Sequence, residues 1–162
     1  MATVTTIRGQ QIRDNQITEP KLAASNSPAQ KQALTWDGSD LTWAEVGASK
    51  SITQASHGFS VGSLVRLSGT SYVAAQADSS SNAEVVGMVS SVVDTDNFIL
   101  TTNGAVGSLT GLTAGAVYFL SDATAGAMST TEPTTATYIS KPCFIADTTT
   151  SGFFHNFRGI DY

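Results

Sequence analysis

One cysteine in 162 residues leaves no partner for an internal disulfide, so packing alone must hold the chain together. Charge is also scarce: Asp, Glu, Lys and Arg make up 13% of the residues, about half the usual share. No run of about 18 apolar residues occurs, which excludes a helical membrane span. The N-terminus has no basic region leading into an apolar stretch, so no secretory leader is expected and the chain reads as made in a cytoplasm. Only two histidines are present, His57 and His155, and neither has a Cys, Asp or Glu at metal-ligand spacing. No metal and no cofactor is therefore expected.

What charge there is divides unevenly. Residues 1–50 hold five basic residues (Arg8, Arg13, Lys21, Lys31, Lys50) and five acidic ones, whereas residues 51–162 hold three basic and eight acidic. The second part thus carries the whole net charge of −5. An acidic body without a Lys/Arg cluster repels a phosphate backbone, so nucleic acid is not an expected partner. The same deficit removes the polybasic patch that an anionic membrane surface would need.

The first fifty residues have an unusual spacing. Ile7, Ile12, Ile17 and Leu22 recur every five positions with polar residues between them. A helix wants apolar residues three and four apart and a strand wants them two apart, so five fits neither. Isolated aliphatic anchors on polar spacers suit an extended arm that fills successive pockets on another surface, and Pro20 argues against a helix through it. Ser27-Pro28-Ala29-Gln30 then predicts a short helical turn, with serine at the N-cap and proline at the first helical position. This places the arm at 1–33.

Residues 34–50 are expected to form a β-hairpin and linker. Leu34-Thr35-Trp36 and Leu41-Thr42-Trp43 flank the turn-forming Asp37-Gly38-Ser39-Asp40. In that register Trp36 opposes Leu41 and Leu34 opposes Trp43, which puts the four large side chains on one face. A calcium loop is the competing reading of the turn, but the position eleven residues after Asp37 is Ala48, not a carboxylate.

From Ser51 to Tyr162 the pattern is short apolar segments separated by turn chemistry. Strands are predicted over 64–67, 72–75, 85–93, 98–101, 116–120, 138–140, 143–146 and 153–160. Turns are predicted at Ser68-Gly69-Thr70, Asp78 to Asn82, Asp94 to Asn97, Asn103-Gly104, Thr113 to Gly115, Asp122 to Gly126 and Glu132-Pro133. Strands at this spacing with no helical segment between them predict a small antiparallel β-barrel or sandwich, so the fold class is mainly β with an extended N-terminal arm.

No catalytic constellation is legible. Gly104-Ala105-Val106-Gly107 lacks the Lys-Ser/Thr of a phosphate loop, and no Gly-x-Ser-x-Gly elbow occurs. Asp94 and Asp96 fit a solvated turn better than a glycosidase pair held apart across a sugar. Cys143, inside Pro142-Cys143-Phe144-Ile145-Ala146, reads as a small buried hydrophobe rather than a reactive thiol. The tail Gly152-Phe153-Phe154-His155-Asn156-Phe157 has two readings of equal weight. It is either a final strand with one face in the core or a subunit interface carrying Phe153, Phe154 and Phe157.

The arm from Thr6-Ile7-Arg8-Gly9 to Lys21-Leu22 resembles segments near the start of tailed-bacteriophage fibre and appendage proteins. The body resembles small β domains of phage virion proteins at Gly58-Phe59-Ser60-Val61-Gly62, at Ala77 to Val89, and at Gly111-Leu112-Thr113-Ala114-Gly115 through Asp122. The stretch Ala125-Gly126-Ala127-Met128 to Lys141-Pro142 continues the pattern. This resemblance implies a non-enzymatic, homotrimeric structural protein of the virion surface. The leading expectation is a capsid decoration, or cement, protein. Its arm would grip the major capsid protein or an adjacent copy through Ile7, Ile12, Ile17 and Leu22. Extended, about twenty residues reach some 70 Å at roughly 3.3–3.6 Å each, enough to cross several subunits. The alternative is a short tail or head fibre or baseplate protein whose body binds a host-surface glycan on tyrosines such as Tyr72, Tyr118 or Tyr162.

Overall fold

The computed structural model describes residues 32–36, 39–45 and 48–161. The arm anchors Ile7, Ile12, Ile17 and Leu22, the helical turn at Ser27 and the Asp37-Gly38 step of the hairpin turn lie outside the described residues. The chain divides into two units, 1–46 and 47–162.

In the first unit, β1 (Gln32–Trp36) and β2 (Leu41–Glu45) form an antiparallel pair. Leu34 pairs with Trp43, Thr35 with Thr42 and Trp36 with Leu41, the register implied by the duplicated triplet. The Thr35 hydroxyl donates to the Thr42 carbonyl at 3.2 Å and ties the rungs together.

The second unit holds twelve strands among the described residues and no helix. In chain order they are β3 (Ser49–Thr53), β4 (Leu64–Ser68), β5 (Ser71–Ala74), β6 (Val85–Val92), β7 (Asn97–Thr101) and β8 (Gly104–Val106). After these come β9 (Val117–Leu120), β10 (Met128–Ser129), β11 (Ile139–Ser140), β12 (Pro142–Ala146), β13 (Gly152–Phe154) and β14 (Ile160–Asp161). One five-stranded sheet has the order β3-β7-β6-β4-β5 and a second the order β10-β9-β12-β13-β8, while β11 pairs with β14. Every pairing is antiparallel.

The expectation of a barrel is corrected here: both sheets are open. Closure requires the edge strands to pair with one another, yet β8 has three residues, β10 has two, and β3 and β5 bound the other sheet. Short edge strands also leave little unpaired backbone to recruit another chain.

The two sheets contribute to one core. Leu64, Val85 and Met88 from the first sheet cluster with Val106, Tyr118, Leu120, Phe144 and Phe154 from the second. Strict side-chain alternation sends the next residues, Val65 and Val89, to the opposite face. There they join Ile52, Phe98 and Leu100 in a smaller cluster. Among the described residues of the second unit, the 57–59 loop and Tyr72 of β5 cover that cluster. Phe59 and Tyr72 meet the Phe98 ring edge-on at 5.4 and 5.7 Å, and His57 meets it at 4.9 Å.

The predicted tail strand over 153–160 is broken in two. His155 donates its N–H to the Cys143 carbonyl, and the chain then turns so that β14 can pair with β11. Gly159 permits this close approach, since a Cβ there would lie 2.3 Å from Ile139 Cγ2.

Candidate functional site

The second sheet places an uncharged apolar row on its outer face. Val117 pairs with Ile145, Ile145 with Phe153, and Phe153 with Ala105, so the row crosses β9, β12, β13 and β8. At the usual strand spacing it spans roughly 14 Å. Val117, Ile145 and Phe153 remain 42%, 41% and 44% exposed. Their chain neighbours Tyr118, Phe144, Phe154 and Val106 point the other way and are buried. Beside this row runs a second of half-buried residues, Ser129, Phe119 and Pro142, linked by their own pairings. Neither row contains an ionisable side chain. An apolar strip open to water on a sheet face is a candidate surface for another molecule to cover.

The backbone makes this row possible by a bulge. Between Pro142 and Phe144 the register of β12 against β9 shifts, and Cys143 is absorbed there. Cys143 is buried and contacts the Tyr118 carbonyl at 3.5 Å. Burial pushes its thiol up to about 12, although the charge of Lys141 works in the opposite direction. Gly152 completes the arrangement: a Cβ there would stand 2.2 Å from the Ile145 carbonyl oxygen.

The three tail phenylalanines are not brought together. Phe154 is fully buried, Phe153 lies in the outer row, and Phe157 is exposed beyond β13, its ring 5.5 Å from His155. In the hairpin unit Leu34 and Trp43 are half-buried and Leu41 is exposed. The Trp36 side chain lies outside the described residues. Sequence reasoning missed Val117 and Ile145. Their signal is that Val117-Tyr118-Phe119-Leu120 and Phe144-Ile145-Ala146 are apolar at consecutive positions, whereas a half-buried strand alternates apolar with polar.

The remaining candidates are structural. The His57 Nδ1 accepts the Phe59 N–H at 2.9 Å, so Nε2 carries the proton and donates to the Asp94 carbonyl at 3.0 Å. The Asp94 carboxylate accepts from the Asp96 N–H and the Asn97 amide, and these bonds hold its pKa below the ordinary value. Asp96 Oδ1 accepts the Ser56 N–H. Both carboxylates therefore fasten turns, as the turn reading expects. His155 Nδ1 lies 3.0 Å from the Asn103 amide oxygen. Tyr118 is buried, its hydroxyl oxygen accepting the Thr113 N–H, and Tyr72 is half-buried against Phe98. Neither offers a flat exposed platform. Among the described residues no group of three or more His, Cys, Asp or Glu side chains could hold a metal ion. Among the described residues no helix is long and apolar enough to cross a membrane.

Scans against protein-family models, curated proteins and solved structures return no match to this chain.

Proposed function

We propose that this chain is a non-enzymatic structural protein of a tailed-phage virion, a capsid decoration protein that binds as a homotrimer. The arm, through Ile7, Ile12, Ile17 and Leu22, clamps the major capsid protein across neighbouring subunits, and the β body projects outward from the head. The observation that carries the attachment role is the uncharged outer row Val117, Ile145 and Phe153. On this reading the row seats against neighbouring copies in the trimer. The virion assignment rests on the resemblance of the arm and of the 58–62 and 111–122 segments.

The test is sedimentation of the purified protein with undecorated phage heads. A saturating, symmetry-compatible number of copies per head is expected, lost on deletion of residues 1–33. Phe153→Asp, at an exposed position, is expected to convert the free trimer to monomer while leaving the fold intact by circular dichroism. Intact protein that ignores heads would refute the decoration reading, and host-surface glycan binding by a short fibre or baseplate protein would replace it.

A further inference from the structure

A second feature lies away from the outer row. The C-terminal segment 155–159, held against β11 and the start of β12, walls a cleft of about 510 Å³ lined by Ser80, Glu84, Lys141, Asn156, Phe157 and Arg158 among others. That volume falls within the range of about 300–1,000 Å³ typical of small-molecule sites. Lys141 is the unusual member. Its side chain is 5% exposed, in a chain where buried charge is otherwise absent from the described core. Among the described residues the one acceptor its ammonium reaches is the Phe157 carbonyl, at 2.6 Å. An ammonium has three N–H donors, so two are left over at the wall of a cleft. Burial lowers the Lys141 pKa, and the carboxylate of Glu84 opposes that shift.

The local charge is therefore two cations, Lys141 and Arg158, against one anion, Glu84, inside a body whose overall charge is negative. A buried, under-used ammonium is costly unless something completes its hydrogen bonds. A single negative charge placed here would bring the cleft to neutrality and supply the missing acceptors. The cleft is also much larger than a bare carboxylate, and it has a hydrophobic wall. Phe157 is 51% exposed. As an exposed aromatic among the lining residues, it suits the C–H side of a pyranose. The Asn156 amide is already committed, donating to the Val85 carbonyl at 2.8 Å, which pins this wall to β6.

We infer that the cleft between the 155–159 segment and β11–β12 binds a sugar acid, with Lys141 and Arg158 taking its carboxylate and Phe157 its ring face. The attachment role above does not depend on this site, and the site does not depend on that role.

The experiment is a titration of the full chain with glucuronate, followed by amide chemical shifts, with glucose, acetate and inorganic phosphate as comparison probes. Glucuronate is expected to shift the resonances of Lys141, Asn156 and Gly159 and to bind more tightly than acetate, while glucose leaves them in place. Arg158→Gln and Glu84→Gln, both at exposed positions, should fold normally and move the affinity in opposite directions, weaker and tighter. Phe157→Ala should weaken glucuronate and leave acetate unchanged. Lys141→Met should abolish the response to both carboxylates. Equal shifts from glucose, tighter binding of phosphate than of glucuronate, or affinities unmoved by both Arg158→Gln and Glu84→Gln would overturn the inference.

Discussion

The buried thiol of Cys143 makes the alkaline stability of the body calculable. Its pKa stands at about 12 in the folded chain against 9.0 for the free side chain. The folded state therefore holds its proton where the unfolded state has lost it. The resulting stabilisation is fully present below pH 9.0 and drains away as pH rises toward 12. One pKa unit is worth about 1.4 kcal/mol, so the whole effect is on the order of 4 kcal/mol, most of it gone by pH 11. Tyrosines and lysines titrate in the same window, and the comparison must cancel them. Cys143→Ala does so. Urea unfolding of both proteins at pH 8 and pH 11 gives four stabilities. At pH 8 the variant is expected to be weaker by roughly 0.5–3 kcal/mol for the lost packing. By pH 11 the wild type should have lost roughly 3 kcal/mol more than the variant, a relative shift in midpoint on the order of 1–3 M urea. If the two proteins lose stability in parallel between these pH values, the thiol is not shielded in the folded state and the reasoning fails.

Other expectations are more direct. Phe154→Ala should cost about 3–5 kcal/mol in denaturant titrations, because its ring is fully enclosed by both sheets, whereas Phe153→Ala, one residue away, should cost under half of that. Gly152→Ala forces a methyl against the Ile145 carbonyl and the Phe144 ring, and a loss of at least about 1–3 kcal/mol is expected as a lowered Tm. Asp94 should titrate below 3.8 by carbon-13 NMR, and Asn97→Ala should move it upward. Its depressed pKa means that the 94–97 turn gains from the charge at neutral pH and loses that gain as pH falls through the depressed value, which backbone amide shifts at Asp96 would report.

Much of the strand pattern was legible because the core strands are short apolar segments bounded by Gly, Asp, Asn and Ser. The duplicated Leu-Thr-Trp triplet likewise set the β1–β2 register, since identical triplets around four turn residues leave one pairing that matches like with like. The strands that escaped notice lack a pattern to read. Ser49–Thr53 has a single aliphatic residue, Ile52, and is a strand because its backbone and the Ser49 hydroxyl bond across to β7. Asn103-Gly104 reads as a turn, and Gly104 does have a left-handed φ of 108°, yet Gly104, Ala105 and Val106 all pair with β13. The break in the tail strand was invisible for a different reason. It depends on Lys141 and Ile139, which are far enough away in sequence that no local window contains both partners. The outer row was half-legible: Phe153 stood out by aromatic density, while Val117 and Ile145 looked like ordinary strand residues until the register set them side by side.

Consecutive large apolar residues on β9, β12 and β13 give the second sheet the chemistry of a middle layer, while the described residues of the second unit supply a layer on one side only. A single body therefore presents one apolar strip to water. What opposes face-to-face sticking is long-range repulsion between bodies holding eight acidic and three basic residues beyond position 50. Salt shortens the reach of that repulsion and acid removes its source, so the balance between dispersed and self-associated chains is set by the medium as much as by the fold.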